Sequence, residues 1–441
     1  MDSETAPGTA AGSYAVENLF SSPYRSLQVG NWVKLICGAS YQDMPAVRRL
    51  AMLYALAGVD CIDVAADGAV VTAARHGLED AVWLAGHLGD RATSLETRNV
   101  SALKSRGLPW LMVSLNDSED PHFRKAHFDA AHCPPGCDRP CETVCPTAAI
   151  QFQSINQSGV KPDLCYGCGR CITICPLDNI EARSYLARPE AFSEEQVAQI
   201  DAVEVHTQTG HQVQFQRLWQ RLQPWRPHLK LISISCPDHD QVVPYLQDLY
   251  NIMAPLEVPL IWQTDGRPMS GDLGKGTTHA AIRLAQKILQ AGLPGYVQPA
   301  GGTNGYTVSK LLDLGLINNA PSASYSNFHP SGLAFPQSGG MVGHSSGLVH
   351  KTISGIAYGS YGRSQVLPLL DAIDHELQPW LENASLNQPS GGQQVNPESD
   401  AALVAPWQRL DDSALGQGLA LAQQLVGQLK MDRHFLPARY G

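Results

Sequence analysis

The chain has 441 residues, is 44% hydrophobic and 16% charged, and carries a net charge of −10. That length exceeds a lone small cofactor-binding module and suits one large α/β domain with an insertion, or two to three ordinary domains. The acidic balance argues against nucleic-acid binding and against a basic membrane-binding surface. No apolar run reaches the roughly eighteen residues of a membrane span, and residues 1–13 lack a secretory signal, so a cytoplasmic protein is expected.

Residues 1–28 read as a flexible lead. WVKLICGAS, from Trp32, reads as a strand ending at Gly38. Residues 45–57 place Val47, Leu50, Leu53 and Leu56 at helical spacing, and Gly58 stops the helix. VDCIDVAA from Val59 is a second strand, 76–88 a helix, and LPWLMVSLN from Leu108 a third strand. A cysteine-rich segment follows at 130–185. Strand–helix alternation then resumes, with strands predicted at 202–206, 229–235, 258–263, 295–299 and 353–359. Helices are predicted at 213–222, 241–253, 277–291, 307–316 and 363–381.

Eight strands, apolar on both faces and alternating with helices, fit a (β/α)8 TIM-barrel-like domain in two parts, 29–129 and 186–383. The cysteine segment is then an insertion between the third and fourth units. An open doubly wound sheet or two separate domains is the alternative. Residues 384–400, rich in Asn, Gln, Ser, Gly and Pro, read as a linker. Residues 401–441 read as a helical tail, with its helix at 411–430.

Eight of the eleven cysteines lie between Cys133 and Cys175, at metal-ligand spacing rather than in a disulfide pattern. The second run, Cys165-x2-Cys168-x2-Cys171-x3-Cys175-Pro176, is the bacterial two-cluster iron–sulfur pattern. Three cysteines on one tight loop converge on a cluster face, and the fourth is carried away to the other cluster. The first run, Cys133-x3-Cys137-x3-Cys141-x3-Cys145-Pro146, is one residue wider in its first two gaps. The expected ligation is crossed. Cys133, Cys137, Cys141 and Cys175 hold cluster 1, and Cys165, Cys168, Cys171 and Cys145 hold cluster 2. Both are expected as [4Fe-4S], with [3Fe-4S] open for the wider first run. Structural zinc is the alternative, but zinc usually pairs two separate knuckles, whereas here both four-cysteine runs end in Cys-Pro. A short hairpin over 151–160 is expected between the runs.

Residues 130–182 resemble a two-cluster bacterial ferredoxin module. The chain from Trp32 to Arg363 resembles the light-dependent period family of cyanobacterial iron–sulfur proteins. WVKLICGAS, VDCIDVAAD, both cysteine runs, QPAGGTNGYTV and GIAYGSYGR carry the resemblance, which stops short of the tail beyond 385. It implies a protein that modulates circadian clock period in response to light by sensing cellular redox state. It also implies association with clock input and core clock proteins, and a quinone or ferredoxin as redox donor or acceptor.

Two glycine-rich loops follow the predicted seventh and eighth strands. In a barrel these loops often bind phosphate, so Gly301, Gly302, Thr303, Gly359, Ser360 and Arg363 form a candidate site for FMN or another phosphate ligand. Tight turns alone explain the same glycines. Asp265, Arg267 and Lys275 form a polar loop that suits an anion or plain solvation. Cys37, Cys61 and Cys236 read as core residues, with Cys236, before a proline, open to reactivity. His132 adjoins Cys133 and reads as a surface residue. His329, His344 and His350 match no metal pattern. No paired Lys and His or catalytic loop is legible at the strand ends. That absence favours a non-enzymatic sensor over a flavin oxidoreductase fed by the clusters.

Overall fold

The computed structural model describes residues 23–88, 103, 107–152, 159–266, 276–317, 352–386 and 413–430. Eight parallel strands form one sheet: β1 (Trp32–Gly38), β2 (Cys61–Ala65), β3 (Trp110–Asn116), β8 (Ala202–His206), β9 (Leu231–Pro237), β10 (Leu260–Asp265), β11 (Tyr296–Ala300) and β12 (Gly355–Tyr358). Its order runs β11-β10-β9-β8-β3-β2-β1-β12. β1 pairs in parallel with both β2 and β12, with Trp32 opposite Gly355. At the seam, Ser354 N donates to Val297 O at 2.9 Å, and the sheet is a nearly closed barrel. Strands and helices differ from the predicted limits mostly by a few residues.

Alternation along each strand separates two apolar layers. Val33, Leu35, Ile62, Val64, Leu111, Val113, Val203, Val205, Ile232 and Ile234 face the surrounding helices. Trp32, Cys61, Trp110, Met112, Ala202, Leu231 and Ile261 plug one end of the barrel from inside. Between the plug and the strand ends the interior turns polar.

The helices end where local chemistry dictates. Met44–Ala57 begins at Asp43, whose side chain accepts from Ala46 N, and stops at Gly58 in the left-handed conformation. The segment expected as one helix at 363–381 is broken into Ser360–Val366, a short 3-10 turn at Leu367–Leu369 and Leu370–Leu386. Pro368 lacks the N–H a continuous helix needs. The helix expected at 76–88 starts earlier, at Gly68.

Two expectations about the termini change. Within the lead expected to be flexible to residue 28, Pro23–Val29 is a helix whose Leu27 is buried in the plug, and residues 1–22 lie outside the described residues. Among the predicted linker residues, 384–386 belong to the helix Leu370–Leu386, and the rest lie outside the described residues. The tail helix, Ala414–Lys430, packs on the barrel rather than hanging free. A Cβ on its Gly418 would touch Ile373 and Leu53, and Lys430 Nζ meets Asp60 at 2.6 Å. No helix among the described residues is long and apolar enough to cross a membrane.

Candidate functional site

The chain between β3 and β8 carries all eight clustered cysteines. It contains two small antiparallel ladders, β4 (Arg124–His127) with β7 (Glu181–Ser184), and β5 (Ile150–Gln151) with β6 (Gly159–Val160). The second is the base of the expected 151–160 hairpin, whose residues 153–158 lie outside the described residues.

The two cysteine runs repeat one backbone design. Short helices Pro140–Val144 and Arg170–Ile174 each follow a left-handed residue, Arg139 and Gly169. Each ends at the last cysteine of its run, Cys145 or Cys175. The chain then turns through a second left-handed residue, Ala148 or Asp178. These turns bring thiols from different runs together. Burial raises Cys141, and the neighbouring thiols that raise it further are Cys175 and Cys133. Burial, then Cys168, Cys165 and Cys145, push Cys171 up to about 12. Cys137 sits on the turn between Cys133 and Cys141, its N–H donating to Pro134 O at 3.1 Å.

The surroundings of these sulfurs suit anionic clusters, whose sulfurs and thiolates need N–H donors. Ala149 N donates to Cys145 Sγ at 3.2 Å and Ala126 N to Cys165 Sγ at 3.4 Å. Asn179 Nδ2 lies 3.6 Å from Cys133 Sγ. Phe128, Ile150 and Ile180 pack with Cys141 and Cys171 and keep water from one side. Gly167, at φ +72°, is required twice over, since a Cβ there would also lie 2.2 Å from Arg124 O.

The Cys165 loop lies over the barrel mouth. Tyr166 and Gly167 line a cavity of about 70 Å³ together with residues from the strand ends. All six residues predicted for a phosphate site, Gly301, Gly302, Thr303, Gly359, Ser360 and Arg363, line the same cavity. Arg363 spans its wall. Its Nη1 donates to Ile36 O at 2.7 Å, its Nη2 to Ser360 Oγ at 3.2 Å, and its guanidinium stacks 4.5 Å from the Tyr166 ring. Arg363 Nε is buried with no hydrogen-bond partner among the described residues.

Below the cavity is a charged network that the sequence reading missed. Lys34 Nζ forms a short ion pair with Glu204 and lies 3.5 Å from Asp63, and all three are at most 1% exposed. Glu204 also accepts from Ser233 Oγ at 2.8 Å and Gln263 Nε2 at 2.5 Å. A relay of amides continues through Gln298 to Trp32 Nε1. Burial pushes the Asp63 carboxyl up to about 6 against the pull of Lys34.

Toward the mouth, His206 Nε2 meets Glu204 at 3.2 Å and His206 Nδ1 faces Asp120 at 3.8 Å. His122 Nδ1 lies 2.9 Å from Asp120, and His122 Nε2 lies 3.3 Å from Asp265. Burial opposes protonation of His122, but Asp265 and Asp120 outweigh it and raise the imidazole to about 9. The expected absence of an acid–base set is therefore overturned. Lys34, Asp63 and Glu204 sit inside strands that read as apolar, and Asp120 and His122 come from the loop after β3. A lone charged residue inside an otherwise apolar strand, Lys34 in WVKLICG, Asp63 in CIDVA and Glu204 in AVEVH, was the available signal.

The chain also matches known proteins. Residues 196–428 match the model of the Light dependent period A C-terminal domain, and residues 133–186 match the LdpA Fe-S cluster-binding domain. Light dependent period A of Synechococcus elongatus is 52% identical over 305 residues, which cover 69% of this chain and 79% of that protein. The chain belongs to the Light dependent period A family. Its cysteine segment is thus the family's iron–sulfur-binding domain. The family's C-terminal domain reaches residue 428, beyond the point where the sequence resemblance stops, and takes in most of the helix Ala414–Lys430.

The remaining predicted residues fall as follows in this family member. Asp265 is no solvated loop residue but a buried partner of His122, because β10 runs to position 265. Arg267, Lys275, His329, His344 and His350 lie outside the described residues. Cys37, Cys61 and Cys236 are buried core residues, and burial pushes the Cys236 thiol up to about 12, which disfavours a reactive thiolate there. The His132 side chain is 72% exposed.

Proposed function

We propose that this chain senses cellular redox state through two iron–sulfur clusters and thereby modulates circadian period in response to light. The observation that carries the reading is the grouping of thiols across the two runs, in a domain that matches the family's Fe-S-binding model. It supports a ferredoxin-like insertion with crossed ligation. Cys133, Cys137, Cys141 and Cys175 hold one cluster, and Cys145, Cys165, Cys168 and Cys171 the other. When bound, the clusters supply one-electron exchange. The N–H groups of Ala149 and Ala126 offset negative charge at Cys145 and Cys165, which favours the reduced form at that site. The wider first run makes its cluster the more labile of the two, as [4Fe-4S] or [3Fe-4S]. Clock input and core clock proteins would read the resulting change in charge and order. A quinone or ferredoxin would exchange the electrons.

The test is anaerobic purification with iron, sulfide, zinc and flavin assayed together, followed by reductive EPR. Two reducible clusters without flavin are expected. Cys137→Ser or Cys141→Ser should leave the protein soluble and shift circadian period when light intensity changes. Stoichiometric zinc in place of iron, or an unchanged period with the first cluster lost, would overturn the reading.

A second reading has its own observation. The six phosphate-site candidates share one cavity with Tyr166 of the Cys165 loop and with the His122–Asp265 pair. That arrangement suits an oxidoreductase in which the phosphate of FMN is held at the mouth and the flavin exchanges electrons with the adjacent cluster. Stoichiometric flavin, with substrate-dependent reduction of the clusters, would establish it.

A further inference from the structure

At the barrel mouth the two histidines and Asp120 present three ligand atoms within 4.8 Å of one another. His122 Nδ1 and His206 Nδ1 both turn toward Asp120, at 2.9 and 3.8 Å. The opposite nitrogen of each ring is held by a second carboxylate, Asp265 for His122 at 3.3 Å and Glu204 for His206 at 3.2 Å. A carboxylate behind each imidazole fixes ring orientation and raises ligand basicity, which is how metal-binding histidines are supported. The Glu204 carboxylate is itself fixed by Lys34, Ser233 and Gln263, and Asp120 by the backbone N–H of His122 at 2.8 Å.

One further feature suits a bound cation. The cavity over His122 and His206 has room for several waters or a small ligand to complete a coordination sphere.

We propose that Asp120, His122 and His206 bind one divalent first-row transition-metal ion at the barrel mouth, separate from the cysteine-bound clusters. Two imidazoles and one carboxylate with open positions suit iron(II), manganese, cobalt or zinc. The open side faces the cavity beneath Tyr166, so a small oxygen-donor ligand can reach the metal there. The site does not depend on the redox-sensing reading.

Equilibrium dialysis of the anaerobic cluster-loaded protein against cobalt(II), with cobalt and iron both measured, tests the site. One cobalt per chain with iron unchanged is expected. His206→Ala and Asp120→Asn should each abolish stoichiometric cobalt while retaining iron. Asp265→Asn touches no ligand atom and should weaken cobalt binding by about 10–100-fold. It decides the matter if the first two variants fail to fold. No stoichiometric cobalt in the unaltered protein would overturn the site. So would cobalt binding unchanged in Asp265→Asn and His206→Ala.

Discussion

Lys34 is the residue on which the barrel interior turns. It is fully buried between Glu204 and Asp63; if it is removed, Asp63 loses its ion-pair partner and Glu204 keeps only His206. Breaking a buried pair by deleting one partner costs about 3–5 kcal/mol, because the remaining charge stays desolvated. Lys34→Met should therefore lower stability by about that amount in chemical denaturation followed by circular dichroism. Adding Glu204→Gln should recover part of the loss. A loss below about 1 kcal/mol in the single variant would show that the carboxylates simply protonate. Lys34 and Asp63 stand in plain view within WVKLICGAS and VDCIDVAA. They escaped notice because strands covered on both faces read as apolar on average. The cysteines were legible for the opposite reason, since their chemistry lies in spacing along one short segment. Asp120 and His122 give no such local signal. They meet His206 and Asp265 only because strand ends distant in the chain converge at one mouth.

At the scale of elements, the repeated turn–helix–turn of the cysteine runs makes a sharper claim than spacing alone. Each short helix carries one cysteine near its start and ends on another, and the left-handed residues Ala148 and Asp178 redirect the chain beyond it. The last cysteine of each run thereby leaves its own loop. Cys145 lies among the neighbours of Cys171, and Cys175 among those of Cys141. Cys145→Ser should thus perturb the cluster of Cys165, Cys168 and Cys171 and spare that of Cys133 and Cys141. EPR of the reduced variant measures this, and loss of only the first-run signal would reverse the assignment. Element positions were mostly readable because buried parallel strands and amphipathic helices alternate with short turns. The early start of the helix at Gly68 was not, since Ala69, Val70 and Val71 fit a loop or strand end as well as a helix.

Across the whole molecule, Arg363 is one of several contacts between the cysteine segment and the barrel, and the one that carries a charge to the Cys165 loop. Arg363 follows the last barrel strand, yet its guanidinium stacks on Tyr166, which directly follows Cys165. It also holds Ile36 O at the end of β1, so it joins the first and last strands to the insertion. Reduction adds negative charge to the cluster, and a nearby cation stabilises that form. Arg363→Ala should therefore make the cluster of the Cys165 loop harder to reduce. The expected shift is toward more negative potential by tens of millivolts, where about 59 mV corresponds to a tenfold change for one electron. Arg363→Lys should restore part of it, because the charge returns without the planar stacking on Tyr166. The cluster of Cys133 and Cys141 should hold its potential in both variants. EPR-monitored redox titration separates the two clusters. Unmoved potentials would mean that the mouth and the Cys165 loop share a boundary without sharing a field, and a ligand in the cavity would then have no electrostatic route to the cluster.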